Sequence, residues 1–469
     1  MEHDKIILEG PVLKAIFAIT LPIIVGNLLQ TAYQITDAFW VGRLGKESVA
    51  AVSLSFPIIF LIIALAGGIG LAGAVLAAQY KGNKEHEKVD HITGQTFLLA
   101  FIFSAVLALI GFIFAPNILK LFGTEEAVFS NAVSYLRISL AGIVFIFGYN
   151  VFQSLSRAVG DVKTPVYIVL GTVLLNFVLD PLFIFGYKFI PALGVGGAAM
   201  ATVFTQGIAL FAGLIVFRKG ISGINLKAKH FKPDYPLIKK IINLGIPISL
   251  EQSSRSAGAI VMTAIVTTFG TIALASYGIG IQIIGLVIIP ALSLSIANSA
   301  LIGQNIGAGN IERAKEIAKK STIIGFVVLT LLGIVFFIFA KQIIAVFIPS
   351  DADVINTGAV FLRTIALTFG LIGVQMSFFG TIRGSGNTST VMKVSILTMI
   401  VQISSAFILS RYILHSEFGI WLGYPIANIV GALVAFMIFI KGDWAKKSLI
   451  ENPEIKKKIE KECELAEYE

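Results

Sequence analysis

The 469-residue chain is 56% hydrophobic and only 13% charged, a balance too apolar for a soluble globular protein. Its 36 Lys and Arg outnumber 27 Asp and Glu, which gives a net charge of +9, and its single cysteine, Cys463, excludes an intrachain disulfide or cysteine metal cluster. Repeated apolar runs of about 20 residues, the length that crosses a bilayer, predict an all-α integral membrane protein.

About twelve such runs follow one another along the chain, six in each half. Met1 to Gly10 is short and acidic and lacks the basic region and cleavage site of a secretory signal, so we predict that the first run is an uncleaved insertion helix. The centres of the runs lie near Ile24, Ile63, Ala105, Val144, Leu174, Ile208, Val261, Leu286, Leu329, Leu371, Ile400 and Ala435.

The two halves of the chain repeat each other. We therefore predict two homologous six-helix lobes, which share one orientation because six is even and are related by a pseudo-two-fold axis along the membrane normal. The predicted boundaries are an N-lobe at 1–217, a linker at 218–240, a C-lobe at 241–440 and a charged tail at 441–469. The matching pairs, at a spacing of 225 and then 226 residues, are Pro22/Pro247, Gly45/Gly270, Gln79/Gln304, Gly82/Gly307, Leu136/Leu362, Arg137/Arg363, Arg157/Arg383, Gly160/Gly386 and Thr164/Thr390.

The cations are distributed unevenly between the two sides of the predicted bundle. Of the 36 Lys and Arg, 27 fall in alternate segments that include both termini and the linker, and only 6 fall in the opposite loops. The positive-inside rule then places both termini in the cytoplasm of a cell-membrane protein. The basic charge is thus a topology signal, and we predict no nucleic-acid partner.

Two apparent motifs lack the context that their chemistry needs. Gly68-Ile69-Gly70-Leu71-Ala72-Gly73 matches a dinucleotide fingerprint but falls inside a membrane run, where small-residue helix packing explains it better. His86 and His91 resemble a zinc-protease helix but lie five residues apart, so they do not share a face. No Walker A sequence occurs, so any pumping by this chain would have to draw on an ion gradient.

Asp37 and Asp180 are the acids that break the repeat, because Met262 and Ala406 stand at the equivalent positions. Ionisable groups at membrane depth are costly and usually functional. Both acids are predicted in the outer half of the membrane, with Asn176 one helical turn before Asp180 on the same face. Carboxylates grouped with amides and hydroxyls either hold a desolvated Na⁺ through oxygen ligands or carry protons.

Asp37 and Glu251 each have a competing interpretation. An interfacial ion pair with Arg43 is the alternative for Asp37. Glu251 lies within the seventh run with Arg255 four residues later, so a self-neutralised structural pair and a secondary coupling site both remain open.

Several segments together resemble the multidrug and toxic compound extrusion (MATE) family, most closely its DinF-like branch. The resemblance covers nearly the whole chain apart from the tail. The segments are Thr36-Asp37-Ala38-Phe39-Trp40-Val41-Gly42-Arg43-Leu44-Gly45, Arg157-Ala158-Val159-Gly160-Asp161-Val162-Lys163-Thr164-Pro165, Asn176-Phe177-Val178-Leu179-Asp180-Pro181, Gly197-Ala198-Ala199-Met200-Ala201-Thr202 and Gly303-Gln304-Asn305-Ile306-Gly307-Ala308-Gly309-Asn310.

The resemblance implies a secondary antiporter that exports amphiphilic, often cationic, drugs or metabolites by alternating access, in exchange for inward Na⁺ or H⁺. It implies no enzymatic activity and no cofactor beyond the coupling ion. In the DinF-like branch that ion binds in the N-lobe, whereas other branches use a helix-seven acid whose place Arg255 occupies here. The matching N-lobe residues are Asp37, Asn176, Asp180 and Thr202 as the site for Na⁺ or H⁺, the Ala198 carbonyl as a further ligand, and Tyr33 and Asn150 as polar lining of the substrate cavity. Gln153 adds to the polar surface of the helix that carries Asn150, and we predict that it also lines the cavity.

Two other functions compete with this interpretation. A lipid-linked saccharide or lipid flippase of the same wider superfamily would show two further helices and a more cationic cavity, and neither is evident in the sequence. A membrane enzyme or receptor would need a catalytic constellation or an external domain, which the short outer loops do not offer. The predicted partners are a small amphiphilic substrate and the lipid bilayer, with the monomer as the functional unit.

Overall fold

The computed structural model of the chain describes residues 2–121, 123–189, 191–442, 444–445, 448–450, 453 and 458. Over this part of the chain the regular structure is helical, with sixteen α-helices, one 3₁₀ turn and one π turn. The predicted all-α class is confirmed. Most of the predicted tail at 441–469, including Cys463, lies outside the described residues.

The helices follow the predicted apolar runs in chain order. The first eight are α1 (Glu2–Leu8), α2 (Val12–Gly42), α3 (Lys46–Gly82), α4 (His86–Leu121), α5 (Glu126–Ala141), α6 (Ile143–Ala158), α7 (Lys163–Phe185) and α8 (Val195–Arg218). After a 3₁₀ turn at Ala228–Phe231 come α9 (Tyr235–Thr267), α10 (Thr271–Gly307), α11 (Ile311–Ile338), α12 (Ala340–Phe347), α13 (Ala352–Ala366), α14 (Phe369–Gly384), α15 (Thr388–Ile408), a π turn at Leu409–Ile413 and α16 (Phe418–Ile440).

The described helices account for the predicted number of membrane spans. Nine are long and apolar enough to cross a bilayer, and the bent pairs α5–α6 (46°) and α13–α14 (49°) raise that number to eleven. Helix α9 has 33 residues and is long enough to cross a bilayer, but it is less apolar than the others because its middle, from Glu251 to Arg255, is polar. With α9 the described part of the chain reaches the expected twelve.

The described residues form two compact units. One lies within Leu21–Ser249, and the other lies within Met1–Thr20 and Leu250–Glu469. Both divisions fall inside a helix, α2 and α9 respectively, beside the repeated prolines Pro22 and Pro247. A proline inside a helix removes one backbone hydrogen bond and loosens that turn. The boundary between the units therefore falls near a weakened turn of each helix.

Glycines along α3 permit close helix packing in the first unit. A Cβ at Gly68 would overlap the backbone of Gly245 and the side chain of Ser249, and one at Gly73 would overlap Thr96. A Cβ at Gly70 would meet its neighbours at an ordinary 3.5 Å. Small residues that let backbones approach are the usual device of membrane helix interfaces, so this glycine run is a packing surface and not a nucleotide site.

The linker before α9 is packed on the beginning of α4. Gln95 Nε2 donates hydrogen bonds to the backbone oxygens of His230 (2.6 Å) and Lys232 (2.8 Å). Asp90 Oδ1 accepts from the Asn225 N–H at 2.7 Å. Because these side chains satisfy loop backbone groups that would otherwise need water, the linker is an ordered part of the first unit.

The short helix α1, before α2, is anchored in the second unit by one arginine. The Arg313 guanidinium donates to the carbonyl oxygens of Ile6 (3.3 Å), Ile7 (3.1 Å) and Gly10 (2.6 Å). Ile6 and Ile7 lie in the last turn of α1, whose carbonyls have no intrahelical partner, and Gly10 follows the helix. A cation at this end also complements the helix dipole, so Arg313 fixes α1 through both effects.

Candidate functional site

Two buried acids of the first unit come together with one amide and one hydroxyl. Asp180 and Asn176 lie one turn apart on α7, both 0% exposed, and Asn176 Nδ2 donates to Asp180 Oδ1 at 3.0 Å. Asp37 lies near the end of α2 and accepts from Thr202 Oγ1 of α8 at 3.0 Å. The two carboxyl groups interact with each other, and Asn176 also reaches Asp37. Three helices thus supply one cluster.

Three oxygens of this cluster have no hydrogen-bond donor among the described residues. They are Asp37 Oδ1, Asn176 Oδ1 and Asp180 Oδ2, and all three are buried. A buried acceptor without a donor costs about 1–3 kcal/mol, and more for a charged group. Converging oxygens are the ligands of a hard cation, and two facing carboxyl groups can equally share a proton. The oxygen atoms of this cluster therefore fit either coupling ion, Na⁺ or H⁺.

Aromatic side chains lie on the same helices as the acids, next to them in sequence. The Tyr33 hydroxyl, one turn before Asp37 on α2, lies 2.5 Å from Thr205 Oγ1, and Tyr33 is buried. The Trp40 ring packs against Phe177 and Phe185 with centroids 5.9 Å and 6.3 Å away. Thr205 was not predicted, although its position three residues after Thr202 places both hydroxyls on one face of α8. The burial of Asp180 and Asn176 lowers the local dielectric and strengthens any charge interaction within the cluster.

The other predicted residues of the N-lobe lie in different surroundings. Ala198 is one turn before Thr202 on α8, and its side chain belongs to an apolar cluster with Val41 and Ile184. Asn150 and Gln153 lie on α6, and both are half-buried. Gln153 Oε1 accepts a hydrogen bond from Arg157 Nη2 at 2.9 Å. None of these three has a described hydrogen bond to the two acids.

The equivalent positions in the second unit form a neutral site. Met262 and Ala406, the counterparts of the two acids, are buried apolar side chains. The Tyr424 hydroxyl, at the position equivalent to Ala198, lies 3.0 Å from the Tyr277 hydroxyl and also interacts with Gln402, the counterpart of Asn176. In this phenol pair one hydroxyl donates to the other, so no charged partner is involved. The repeat therefore has acids in one half only.

Glu251 is held by two arginines. Arg255 Nη2 donates to its Oε1 at 2.9 Å, as predicted from their spacing. Arg383 Nη2 donates to both carboxylate oxygens, at 3.1 Å and 2.8 Å, and this partner was not predicted. The repeat identified Arg383 as the counterpart of Arg157, but it did not show that Arg383 contacts Glu251. With two guanidinium groups on one carboxylate, Glu251 has little capacity left for a coupling ion.

A second group of possible ligands lies where the linker meets α4. Glu87, Asp90 and His230 offer ligand atoms within 4.8 Å of one another. However, His230 Nδ1 accepts from the Lys227 N–H at 3.2 Å, so its Nε2 carries the proton and donates to Glu87 at 3.2 Å. Lys229 also binds Glu87. With its histidine nitrogens and Glu87 engaged, this group is a hydrogen-bond network and does not fit a metal ion.

Comparison with known proteins identifies the family. The MatE family model matches residues 22–182 and 247–408, one stretch in each half of the chain. The chain belongs to the MATE family. The two stretches begin 225 residues apart, as Pro22 and Pro247 do, so the match agrees with the duplication.

Similar proteins support this assignment over nearly the whole chain. "Probable multidrug resistance protein YoeA" of Bacillus subtilis is 32% identical over 434 residues, which cover 91% of this chain and 93% of that protein. The "FAD transporter" of Shewanella oneidensis is 24% identical over 92% of this chain and 95% of that protein. A solved outward-facing MATE transporter of the MOP superfamily is similar with a TM-score of 0.88 and 27% identity, covering 94% of this chain and 98% of the other.

Family membership decides several expectations at the level of the family. MATE proteins are cation-coupled transporters that cross the membrane many times, so the multi-span fold is confirmed, and the protein is a transporter and not an enzyme.

Proposed function

We propose that this MATE protein is a secondary antiporter that exports amphiphilic, often cationic, drugs or metabolites in exchange for inward Na⁺ or H⁺. The proposal rests on the buried cluster of Asp37, Asn176 and Asp180, in which three oxygens lack a donor. It is supported by relatives named for multidrug resistance. The Shewanella relative is named for FAD, so the substrates named for relatives include an anionic compound.

The cluster gives a physical reason for coupling. When empty and ionised, its two carboxylates repel each other in an enclosed site. A cation between them, or a proton shared by them, removes that repulsion and satisfies oxygens that lack donors in the protein. Binding therefore stabilises the arrangement in which α2, α7 and α8 meet. In our proposal, Thr202 completes the ligand set by orienting Asp37, and Ala198 contributes its carbonyl.

Alternating access follows if the coupling ion and the substrate favour different states. A ligand shifts a two-state equilibrium only by its differential affinity for the two states. In this scheme the ion favours the state with α2 drawn towards α7, and the substrate favours the other state. Tyr33, adjacent to Asp37 and bonded to Thr205, would transmit the change to the substrate cavity that Asn150 and Gln153 line.

The choice between Na⁺ and H⁺ depends on the same oxygens. Na⁺ requires several oxygen ligands at once, including neutral ones, whereas a proton requires only the two carboxyl groups. Asn176→Ala should therefore abolish coupling to Na⁺ by removing a neutral oxygen ligand. The same variant should leave coupling to a pH gradient largely intact.

The orientation in the membrane is also part of the proposal. We place the protein in the cell membrane as a monomer of the DinF-like branch, with lobes at 1–217 and 241–440 and with the linker and both termini in the cytoplasm. Single cysteines at Gly223 and Lys341, introduced after Cys463 has been replaced, should react with impermeant reagents from opposite sides. Reaction of both from outside would contradict this topology.

Transport by purified protein in proteoliposomes tests the function directly. Ethidium efflux should follow an imposed Na⁺ or pH gradient without ATP. The two gradients should be imposed separately so that the coupling ion is identified. Efflux that needs ATP and no gradient would exclude the antiporter, and translocation of lipid-linked saccharide without dye efflux would favour the flippase.

A further inference from the structure

Arg157 and Arg383 are equivalent residues of the repeat with opposite electrostatic surroundings. They lie near the ends of α6 and α14, and Arg383 binds the Glu251 carboxylate through two hydrogen bonds. Arg157 forms no ion pair with any residue that the structure describes. The one described hydrogen bond of its side chain runs from Nη2 to the Gln153 amide oxygen at 2.9 Å, and the side chain is half-buried.

The difference arises from one position on the neighbouring helix. Glu251 lies four residues after Pro247 on α9, and the residue four after Pro22 on α2 is Gly26. A Cβ at Gly26 would lie 3.9 Å from Arg157 Nη2 and 3.4 Å from Val166 Cγ2. At this position of the repeat, Arg383 therefore has a carboxylate beside it, whereas Arg157 has a glycine without a side chain.

Most N–H donors of the Arg157 guanidinium have no partner in the described contacts. A guanidinium carries five N–H donors in a planar fork, and Arg157 uses one of them in the described contacts. The nearest carboxyl group in sequence, Asp161, accepts from the Thr164 N–H at 3.1 Å and forms no ion pair with Arg157. The planar fork matches carboxylate and phosphate oxygens. A guanidinium that merely reaches water at a helix end would have no such preference.

We propose that Arg157, in the space left by Gly26, binds an oxyanion of an amphiphile, either a carboxylate or a phosphate. The oxyanion is carried by a transported substrate or by a phospholipid headgroup. As a substrate site, this rests on the proposed export function and extends it to anionic and zwitterionic amphiphiles. The N-lobe then contains separate groups for a cation and for an anion, because Asp37 and Asp180 are not bonded to Arg157.

The decisive variant restores the repeat. Gly26→Glu is designed to place a carboxylate beside Arg157, as Glu251 is placed beside Arg383, and its Cβ would meet Val166 at an ordinary contact distance of 3.4 Å. Gly26→Gln is the matched control because it has the same shape without the charge. Arg157→Gln removes the proposed ligand, and Arg157→Lys keeps the charge without the fork.

Binding of carboxyfluorescein, an anionic probe, is measured by fluorescence anisotropy in zwitterionic nanodiscs. Gly26→Glu and Arg157→Gln should weaken binding about tenfold or more, Arg157→Lys less, and Gly26→Gln within about twofold, since a hydrogen bond to a charged group contributes about 1.5–3 kcal/mol. Ethidium efflux by the same variants serves as the folding control. Equal weakening by Gly26→Gln and Gly26→Glu, or unchanged binding by Arg157→Gln, would overturn the proposal.

Two further arms separate the possible outcomes. If added phosphatidylglycerol displaces the probe from the wild type but not from residual binding to Arg157→Gln, the headgroup is the physiological oxyanion. If it does not displace the probe, the oxyanion belongs to the substrate. A wild type that exports ethidium but does not bind carboxyfluorescein contradicts this inference alone. A wild type that binds carboxyfluorescein but exports neither ethidium nor carboxyfluorescein contradicts the proposed function and still supports the anion site.

Discussion

Replacing Glu251 by glutamine tests whether this buried acid stabilises the second unit or couples transport. The substitution preserves the shape of the side chain and one acceptor oxygen, and it removes the charge that faces Arg255 and Arg383. We infer that Glu251 has a structural role, because both of its carboxylate oxygens already accept hydrogen bonds from arginines. We therefore expect a loss of stability without a loss of ion coupling.

The structure indicates the size of the effect. Glu251 is 2% exposed and the Arg383 side chain 9%, so glutamine leaves a nearly buried guanidinium without a counterion. Removing one partner of a buried pair typically costs about 3–5 kcal/mol, and the retained amide oxygen places Glu251→Gln near the lower end. Arg255 is 37% exposed, so solvent screens its contribution and Arg255→Gln should cost at most about 1 kcal/mol.

The assay is thermal unfolding in one detergent, with dye efflux measured on the same preparations. Glu251→Gln should melt well below Arg255→Gln, and the double variant Glu251→Gln/Arg383→Gln should be more stable than the sum of the single effects predicts. Efflux by surviving protein should still respond to the ion gradient. If Glu251→Gln melts like the wild type but loses coupling, our structural assignment is wrong and Glu251 is the coupling acid.

Two further variants test the packing and the linker. Gly73→Ala should lower stability by about 1–3 kcal/mol because its Cβ would overlap Thr96, whereas Gly278→Ala, with nothing within 4 Å, should be neutral or stabilising in the same thermal assay. Asp234→Ala should loosen the start of α9 by about 0.5–2 kcal/mol in hydrogen exchange, because Asp234 Oδ1 accepts from the Leu237 N–H at 3.1 Å, and Asp234→Asn should keep this cap. The hydrogen bond from His91 lowers the pKa of Asp234, so the charge-dependent part of this contribution is fully present above the ordinary aspartate pKa and is lost as pH falls through the lowered value. Acid-dependent loosening that persists unchanged in Asp234→Asn would contradict this assignment.

The sequence predicted the helices because their apolar runs are long and their repeat is preserved. It also predicted that Asp37 and Asp180 lie at a similar depth, in the outer half of the membrane, from their positions along their helices. Asn176 followed from helical periodicity, which fixes neighbours one turn apart. These predictions required only distances along a helix.

Contacts between helices could not be predicted in the same way, because they depend on the rotation of each helix about its axis. The contact of Arg383 with Glu251 joins residues 132 positions apart, and the contact of Tyr33 with Thr205 joins residues 172 apart. The repeat showed that Met262 and Ala406 replace the acids. It did not show that the Tyr424 hydroxyl pairs with the Tyr277 hydroxyl, because the two side chains come from different helices.

Gradient-driven export by Asp180→Asn is the direct test of whether the two buried acids couple the ion to transport. The substitution retains a side chain of the same shape and removes the charge that, with Asp37, forms the proposed cation site. Asp161→Asn is the matched control, because Asp161 is an acid of the same unit outside this cluster and asparagine keeps its hydrogen bond to the Thr164 N–H. In proteoliposomes we expect Asp180→Asn to lose export against an imposed Na⁺ or pH gradient while remaining monodisperse, and Asp161→Asn to export like the wild type. Wild-type coupling in Asp180→Asn would contradict the assignment of the coupling site to these acids.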